Sequence, residues 1–189
     1  MTQPKRFVVV SGLPGSGKST VARLVSPALN LPVIDKDDVL ERLFDSKGVG
    51  DASWRRALSR ESDVIFEEEA KASDGALLVS FWRLEGMASN AGTQTNWLRT
   101  LPGRVVNLHC ICEPEIAAAR FLQRRRHPGH LDAEADESRI LASIRQIPMS
   151  GIQNIGVRIV VDTSREFALA SLVHSIRRAL GDDLLTERR

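Results

Sequence analysis

The stretch Phe7-Val-Val-Val-Ser-Gly-Leu-Pro-Gly-Ser-Gly-Lys-Ser-Thr20 decides the fold, because a short apolar strand runs straight into the pattern G-x-x-x-x-G-K-S at residues 12–19. Glycines without a Cβ let backbone N–H groups close around a phosphate, and the following helix points its positive end at that group. Lys18 is expected to reach the β- and γ-phosphates, and the Ser19 hydroxyl to ligate Mg²⁺. The predicted nucleotide site is the whole loop: Gly12, Leu13, Pro14, Gly15, Ser16, Gly17, Lys18, Ser19 and Thr20.

The surroundings of the motif argue against a glycine-rich turn that matches by chance. β-Branched residues precede it, and Val21, Leu24 and Val25 recur behind it at helical spacing. Further apolar runs at residues 31–34, 76–81, 104–112 and 157–161 alternate with helical segments. Buried strands that alternate with helices predict a parallel sheet covered on both faces. The expected fold is α/β, a three-layer α/β/α P-loop NTPase domain in one unit over residues 1–189.

The composition predicts a cytoplasmic globular protein with no membrane partner. The 189 residues are 42% hydrophobic, and the first strand begins too early to leave room for a signal peptide. No apolar run approaches the ~20 residues that span a bilayer. Cys110 and Cys112, two apart on a predicted strand, are expected to be buried reduced thiols. A net charge of +2 and the absence of Tyr leave a nucleic-acid partner possible but not favoured, and the sequence does not indicate the oligomeric state.

The run Asp35-Lys36-Asp37-Asp38 follows the second predicted strand, at the sheet edge that also carries the P-loop. A kinase needs a carboxylate there to accept the proton of the attacking hydroxyl or to orient it. We assign Asp37 as this base and also, with Ser19, as a Mg²⁺ ligand. The alternative is a solvated loop in which Asp38 caps the next helix.

The third predicted strand ends in Ser80, with no acid before Glu85. A motor-type ATPase needs a carboxylate there for Mg²⁺ and for water activation, so its absence favours a small kinase. Phe81, Trp82 and Trp97 either line an acceptor pocket or belong to the core.

An arginine run at Arg120, Arg124, Arg125 and Arg126 leads into the turn His127-Pro-Gly-His130. Such a segment is typical of a lid, here over about residues 120–135, which closes over the transferred phosphoryl group and excludes water. Arg120 and Arg124, four apart on one helix face, are predicted to be catalytic together with Lys18 and Asp37. The alternative is a solvated basic face near a helix C-terminus.

Three local signals complete the helix predictions. Asp132 is expected to cap the helix after the lid, and Thr163 with Glu166 resembles a capping box for the last helix. Trp54 is expected to face inward from the long helix around residues 53–72.

These motifs together resemble the small P-loop kinases of the AAA_33 type, which include the kinase domain of polynucleotide kinase and relatives of chloramphenicol phosphotransferase and zeta toxins. In polynucleotide kinase the first of two aspartates after the second strand is the catalytic base, and the matching residues here are Lys36-Asp37-Asp38. That family's following arginine falls on Leu40, so only the nearby Arg42 is available. The resemblance implies a five-stranded parallel sheet in the order 2-3-1-4-5.

The sequence thus predicts an ATP- and Mg²⁺-dependent kinase that transfers the γ-phosphoryl group to a hydroxyl of a small molecule. Two alternatives stay open, a polynucleotide 5′-hydroxyl kinase and a non-catalytic ATP-binding switch protein. The acceptor itself is not indicated by any motif.

Overall fold

The computed structural model describes residues 4–87, 91–132 and 136–182. Within these ranges five parallel strands form one sheet in the order β2-β3-β1-β4-β5. The strands are β1 Arg6–Gly12, β2 Val33–Asp35, β3 Gly75–Val79, β4 Arg104–Ile111 and β5 Val157–Asp162. The α-helices are α1 Lys18–Leu29, α2 Lys36–Lys47, α3 Ala52–Ala72, α4 Pro114–Gln123, α5 Glu137–Arg145 and α6 Leu169–Leu180. Short 3₁₀ turns occupy Asn96–Thr100 and Pro128–His130.

Both faces of the sheet are covered, as the three-layer prediction requires. One apolar cluster packs α1 and α6 against β1, β3 and β4, and a second packs α3 against the opposite face. The central strand β1 is buried on both sides, which is why Val8, Val9 and Val10 have no exposed surface. The predicted fold class and strand order are confirmed. In the described part of the chain no helix is long and apolar enough to cross a membrane.

The carboxyl edge of the sheet gathers the polar segments that the sequence singled out. Asp35 at the end of β2 is in register with Val79 at the end of β3, so Ser80 and the start of α2 leave the sheet side by side. The P-loop leaves the neighbouring strand β1 at the same edge. Ligand sites of open parallel sheets lie at this edge.

The cap of α2 differs from the prediction. Asp35, not Asp38, is the N-cap, since its carboxylate accepts a hydrogen bond of 3.0 Å from the Asp37 N–H. The Asp38 carboxylate instead forms an ion pair with Arg23 of α1, whose Nη2 lies 3.3 Å from Asp38 Oδ1. The Asp35 carboxylate therefore accepts from a free N–H group at the start of α2, and the Asp37 side chain is not needed as a cap.

Two further cap predictions are wrong for a common reason. Asp136, not Asp132, caps α5, because the lid residue Arg126 engages the Asp132 carboxylate at 2.8 Å. The last helix begins only at Leu169, because the Thr163 hydroxyl contacts the Ser16 carbonyl at 2.8 Å and is not free to cap. In both cases another contact engages the side chain that was expected to cap: a lid residue six positions away for Asp132, and a P-loop residue 147 positions away for Thr163.

The aromatic residues divide between core and surface. Trp82 and Trp97 pack with Phe66 at ring distances of 5.7–6.2 Å, and the Trp82 Nε1–H donates to the Val10 carbonyl, so both tryptophans belong to the core. Trp54 is 40% exposed, contrary to the prediction, because the first turn of α3 projects beyond the body of the domain.

Candidate active site

The P-loop has the backbone shape that a phosphate site needs. Gly17 caps α1 with φ of 80°, and Gly15 has φ of 78° with so little space that a Cβ would lie 2.0 Å from the Ala117 carbonyl oxygen. Only glycine fits both demands at position 15. The Ser16 Oγ is buried and has no hydrogen-bond partner among the described residues. This orphaned hydroxyl, next to the free N–H groups of the first turn of α1, fits an anionic ligand.

Lys18 folds back over the loop that would hold the phosphates. Its Nζ donates to the Gly12 carbonyl at 3.0 Å and to the Leu13 carbonyl at 2.7 Å. Burial lowers the pKa of Lys18 to about 8, although the nearby charges of Asp37 and Asp35 raise it. The Lys18 ammonium group is thus partly dehydrated and donates to neutral carbonyl oxygens. A phosphate oxygen, which is negatively charged, would be a stronger acceptor for it.

Ser19 is paired with Asp35 rather than with the predicted Asp37. The Ser19 hydroxyl donates to Asp35 Oδ2 at 2.6 Å, and the Asp35 side chain is only 4% exposed. Burial raises the pKa of Asp35, partly offset by the hydrogen bond from Ser19. A hydroxyl and a carboxylate beside a phosphate loop are the hard oxygen ligands that Mg²⁺ prefers. The sequence could have indicated Asp35 as a site residue, because it stands directly at the end of the second predicted strand.

Asp37 lies across the same edge with a different partner. Its Oδ2 accepts a hydrogen bond of 2.5 Å from Arg126 Nη2, and its side chain remains 47% exposed. Partial burial raises the pKa of Asp37, but the charges of Arg126, Arg124 and Lys18 outweigh it and hold the pKa below its usual range. Asp37 is therefore an ionised and accessible carboxylate close to the cations of the phosphate site.

The two predicted lid arginines do not act as a pair. Helix α4 ends at Gln123, so Arg124 is already outside the helix and does not share a face with Arg120. The Arg120 guanidinium group donates to the Thr163 carbonyl at 2.9 Å. The Arg124 guanidinium group instead lies over the Phe121 ring, with its Cζ atom 4.1 Å from the ring centroid.

Arg124 is less compensated than Arg126. Among the residues that the structure describes, the carboxylate closest to its guanidinium group is that of Asp132, at 4.0 Å. Burial and the charge of Arg126 lower the pKa of Arg124, and Asp37 and Asp132 only partly offset this. An arginine in this state gains strongly from an arriving phosphate.

Arg126 is a site residue to which the sequence analysis gave no individual role. It bridges Asp37 and Asp132 with its two terminal nitrogens, and only 13% of its side chain is exposed. Nothing in the local sequence distinguishes it from Arg125, which is exposed. Its contact with Asp37 spans 89 positions of the chain and depends on the way the lid folds back.

A partly buried carboxylate, that of Asp63 with 32% of its side chain exposed, occupies the region beyond β3 where no acid was found in sequence. The Thr93 hydroxyl donates to Asp63 Oδ1 at 2.7 Å and lies 2.6 Å from the Ser80 hydroxyl. Lys36, next to Asp37, approaches the same Asp63 oxygen at 3.0 Å. Helix α3 thus brings a carboxylate to the end of β3 from outside the local sequence.

The loop after β5 closes the other side of the phosphate loop. Thr163 joins it to the P-loop through the Ser16 carbonyl, as described above, and holds Arg120 through its own carbonyl. An open cleft of about 570 Å³ lies alongside, lined by Leu24, Arg120, Ser164 and Phe167 among others. Its position next to α1 and the P-loop suits the nucleoside part of a bound nucleotide.

The two cysteines lie behind the site, and the Cys112 Sγ accepts a contact of 3.8 Å from Arg120 Nη1. Both are buried free thiols, as predicted, and burial raises the pKa of Cys110 to about 12. Across residues 4–87, 91–132 and 136–182 no group of three or more His, Cys, Asp or Glu side chains forms a metal cluster.

Comparison with known proteins places the chain in a family. The model of the family described as AAA domain (AAA_18) matches residues 8–142. A shikimate kinase of Pseudomonas syringae pv. syringae is 31% identical over 150 residues, which are 75% of this chain and 78% of that protein. A shikimate kinase of Corynebacterium glutamicum is 37% identical over 72 residues, 38% of this chain and 43% of that protein.

The first curated relatives match only in part, since the chain spans less than half of their length, 43% and 38%. Among solved structures, a chain from Chloroflexus aurantiacus assigned as a kinase superposes with a TM-score of 0.77. The superposition covers 94% of this chain and 99% of that one at 22% identity, which shows a shared fold. The chain therefore belongs to the AAA domain family and is related in sequence to the shikimate kinases.

Proposed function

We propose that this protein is an ATP-dependent phosphotransferase that phosphorylates a hydroxyl group of a small molecule, with Asp37 as the catalytic base. The observation that carries the proposal is the ionised Asp37 carboxylate, exposed at the sheet edge within the field of Lys18, Arg124 and Arg126. Lys18 and the P-loop amides bind the β- and γ-phosphates, and the nucleoside lies in the cleft beside Arg120.

The chemical step needs only groups that the site supplies. The acceptor hydroxyl gives its proton to a carboxylate oxygen of Asp37 as its own oxygen bonds to the γ-phosphorus. The bond from that phosphorus to the β,γ-bridging oxygen breaks, and ADP leaves with the electron pair. Arg124 and Arg126 neutralise the charge on the transferred group. Asp37 then returns its proton to water.

Ser19 and Asp35 are the residues that would hold Mg²⁺, given their 2.6 Å contact and the burial of Asp35. A bound Mg²⁺ would neutralise charge on the β- and γ-phosphates. In this arrangement Asp37 is left free for the acceptor, which separates the two roles that the sequence analysis assigned to one carboxylate.

The acceptor class follows from the relatives and from the charge of the site. Shikimate kinases are the relatives that match three quarters of the chain, and shikimate is a small hydroxylated carboxylic acid. Lid guanidinium groups suit such an anion, and the Asp63 network offers a second polar anchor. The finer assignment to the AAA_33 type, a cytoplasmic location and the polynucleotide alternative stay predictions.

A screen for ATP-dependent transfer tests the proposal. The purified protein with MgATP is offered shikimate, sugar acids, sugars, cytidine monophosphate and a 5′-hydroxyl oligonucleotide, and products are detected as a mass gain of one phosphate. We expect transfer to a small hydroxylated acid, and none by Lys18→Ala. Transfer to the oligonucleotide alone would favour the polynucleotide alternative. ATP binding without transfer to any acceptor would favour the switch protein.

The pKa of Lys18 predicts how nucleotide affinity depends on pH. In the empty site the pKa is about 8, and bound phosphates raise it because they favour the charged form. ATP therefore binds the protonated lysine: affinity is constant below about pH 8 and falls by up to about tenfold per pH unit above it. Isothermal titration calorimetry with MgATP between about pH 7 and about pH 9.5 measures this.

Lys18→Arg is the control, because a guanidinium group keeps its charge throughout this range. Its ATP affinity, whatever its absolute value, should not change with pH. Equal pH dependence in the two proteins would show that another group controls binding.

A further inference from the structure

One face of helix α2 is covered by residues 124–132, the part of the predicted lid that follows the end of α4. From here on, the lid means these residues. The face consists of side chains at positions i, i+4, i+7 and i+8 of the helix, which lie on the same side. These are Asp37, Glu41, Phe44 and Asp45, and their lid partners are Arg126, His127 and His130. The helix that carries the proposed catalytic base is thus also the surface on which the lid rests.

His130 is the most enclosed residue of this contact. Its side chain is 0% exposed, and its Nε2 lies 2.9 Å from Glu41 Oε1. The edge of its ring meets the Phe44 ring at a centroid distance of 5.4 Å and an angle of 87°. A Cβ on the preceding Gly129 would lie 2.5 Å from the Phe44 ring, so the backbone itself is in close contact with α2.

The hydrogen bond assigns the protonation of His130. A carboxylate only accepts, so Nε2 carries the hydrogen and donates it to Glu41. Burial and the charge of Arg126 lower the pKa of His130 more than Asp37 and Glu41 raise it, so the ring is neutral and Nδ1 bears a lone pair. That Nδ1 is buried without a partner among the described residues.

His127 adds a weaker contact on the other side of Phe44. Its ring stacks on Phe44 at 5.3 Å with planes 15° apart, and its Nε2 lies 3.3 Å from Asp45. The Asp45 side chain is 74% exposed, so water screens this pair far more than the contact between His130 and Glu41.

Arg126 and His130 fix the lid to α2 at two points one helical turn apart. Arg126 reaches Asp37 and, within the lid, Asp132; His130 reaches Glu41. We infer that His130 is a positioning residue, which docks the lid on Glu41 and Phe44 and so holds the lid arginines opposite Asp37. The inference rests on the proposed function for its effect on catalysis, but the docking itself is measurable without any acceptor.

Limited trypsin digestion measures docking directly, because the Arg126 side chain, which is 13% exposed and paired with Asp37 and Asp132, can enter the trypsin specificity pocket only when the lid leaves α2. The protein is digested near pH 8 without nucleotide, and cleavage after Arg126 is followed by mass spectrometry, with cleavage after the exposed Arg125 as the internal reference. We expect His130→Leu to speed cleavage after Arg126 by at least about tenfold, since it removes a buried hydrogen bond to a carboxylate. His130→Gln keeps a donor close to the Nε2 position and should stay within about two-fold of the parent.

Two further variants keep the test decisive if His130→Leu folds poorly. Glu41→Ala removes the acceptor from a side chain that is 37% exposed, and should speed lid cleavage in the same way. The matched controls are Arg42→Ala, on the neighbouring position of α2 and paired with Glu69, and His174→Leu, exposed on α6. Parental cleavage rates in both His130→Leu and Glu41→Ala overturn the inference.

Kinetics with the acceptor found in the screen separate positioning from general structural damage. We expect His130→Leu to lower kcat about tenfold with the ATP KM within about two-fold, and His130→Gln to restore kcat. A released lid with unchanged kcat also overturns the inference. If no acceptor is found, the proposed function fails, while the digestion still decides whether His130 docks the lid.

Discussion

Replacing Asp37 with asparagine should lower kcat for phosphoryl transfer by about 10²–10⁴-fold, the usual contribution of a general base. Asparagine keeps the volume of the side chain and an oxygen that can accept from Arg126, but it cannot take the acceptor proton. ATP binding should be unaffected or slightly tighter, because a negative charge near Lys18 is removed. Steady-state kinetics and calorimetry with MgATP measure the two effects separately.

Asp38→Asn is the matched control for this experiment. The Asp38 carboxylate is one position further along α2, is 52% exposed, and faces Arg23 instead of the lid. It should keep kcat within about two-fold of the parent, as expected for a surface substitution. Equal losses in the two variants would mean that the charge of the whole strand end matters, and that Asp37 is not the base.

Replacing Arg124 with methionine should lower kcat by about 10³-fold, at the lower end of what an arginine finger contributes. The aliphatic stem that packs on Phe121 is retained in this variant, and the charge is lost. The reason for a large effect is that no carboxylate of residues 4–87, 91–132 and 136–182 lies closer than 4.0 Å to Arg124, so its charge is available to the transferred phosphoryl group. Single-turnover kinetics at saturating ATP report the chemical step.

Arg125→Met is the control, since Arg125 is the adjacent, exposed residue and forms no ion pair within the described ranges. It should change kcat by no more than about two-fold. A large loss in Arg125→Met, or none in Arg124→Met, would transfer the transition-state role to another lid cation, with Arg126 as the first candidate.

The sheet was predictable because its central strands β1, β3 and β4 are buried on both faces, and because all five strands appear as mostly apolar runs. All five were located, and the boundaries differ by one or two residues. The helix starts were less predictable where several acids compete for one cap. Asp35 caps α2, whereas the alternative interpretation placed Asp38 there, and Arg126 engages Asp132 so that Asp136 caps α5. The choice among neighbouring acids depends on which of them finds another partner, as Asp38 does in Arg23 of α1, and a local pattern does not contain this information.

In the candidate site, too, residues in contiguous motifs were predictable, and residues placed by contacts between distant positions were not. The P-loop and Asp37 could be found because their chemistry is written in short, contiguous motifs. Arg126 and Asp63 could not, since their contacts with Asp37 and Thr93 join positions 89 and 30 residues apart. Arg120 was placed on one helix face with Arg124 from their spacing, but α4 ends before Arg124 and leaves the two arginines with separate partners.

The hydrogen bond between Thr163 and the Ser16 carbonyl joins residues 147 positions apart. Under the proposed function, the nucleotide side of the site is assembled from the beginning and the end of the domain, and the acceptor side comes from α2, α3 and the lid in between. The proposed function therefore predicts that substitutions in this middle region change which hydroxyl is phosphorylated without moving the phosphate loop. Exchange of α2, α3 and the lid with those of a related kinase should transfer acceptor preference while ATP affinity is kept.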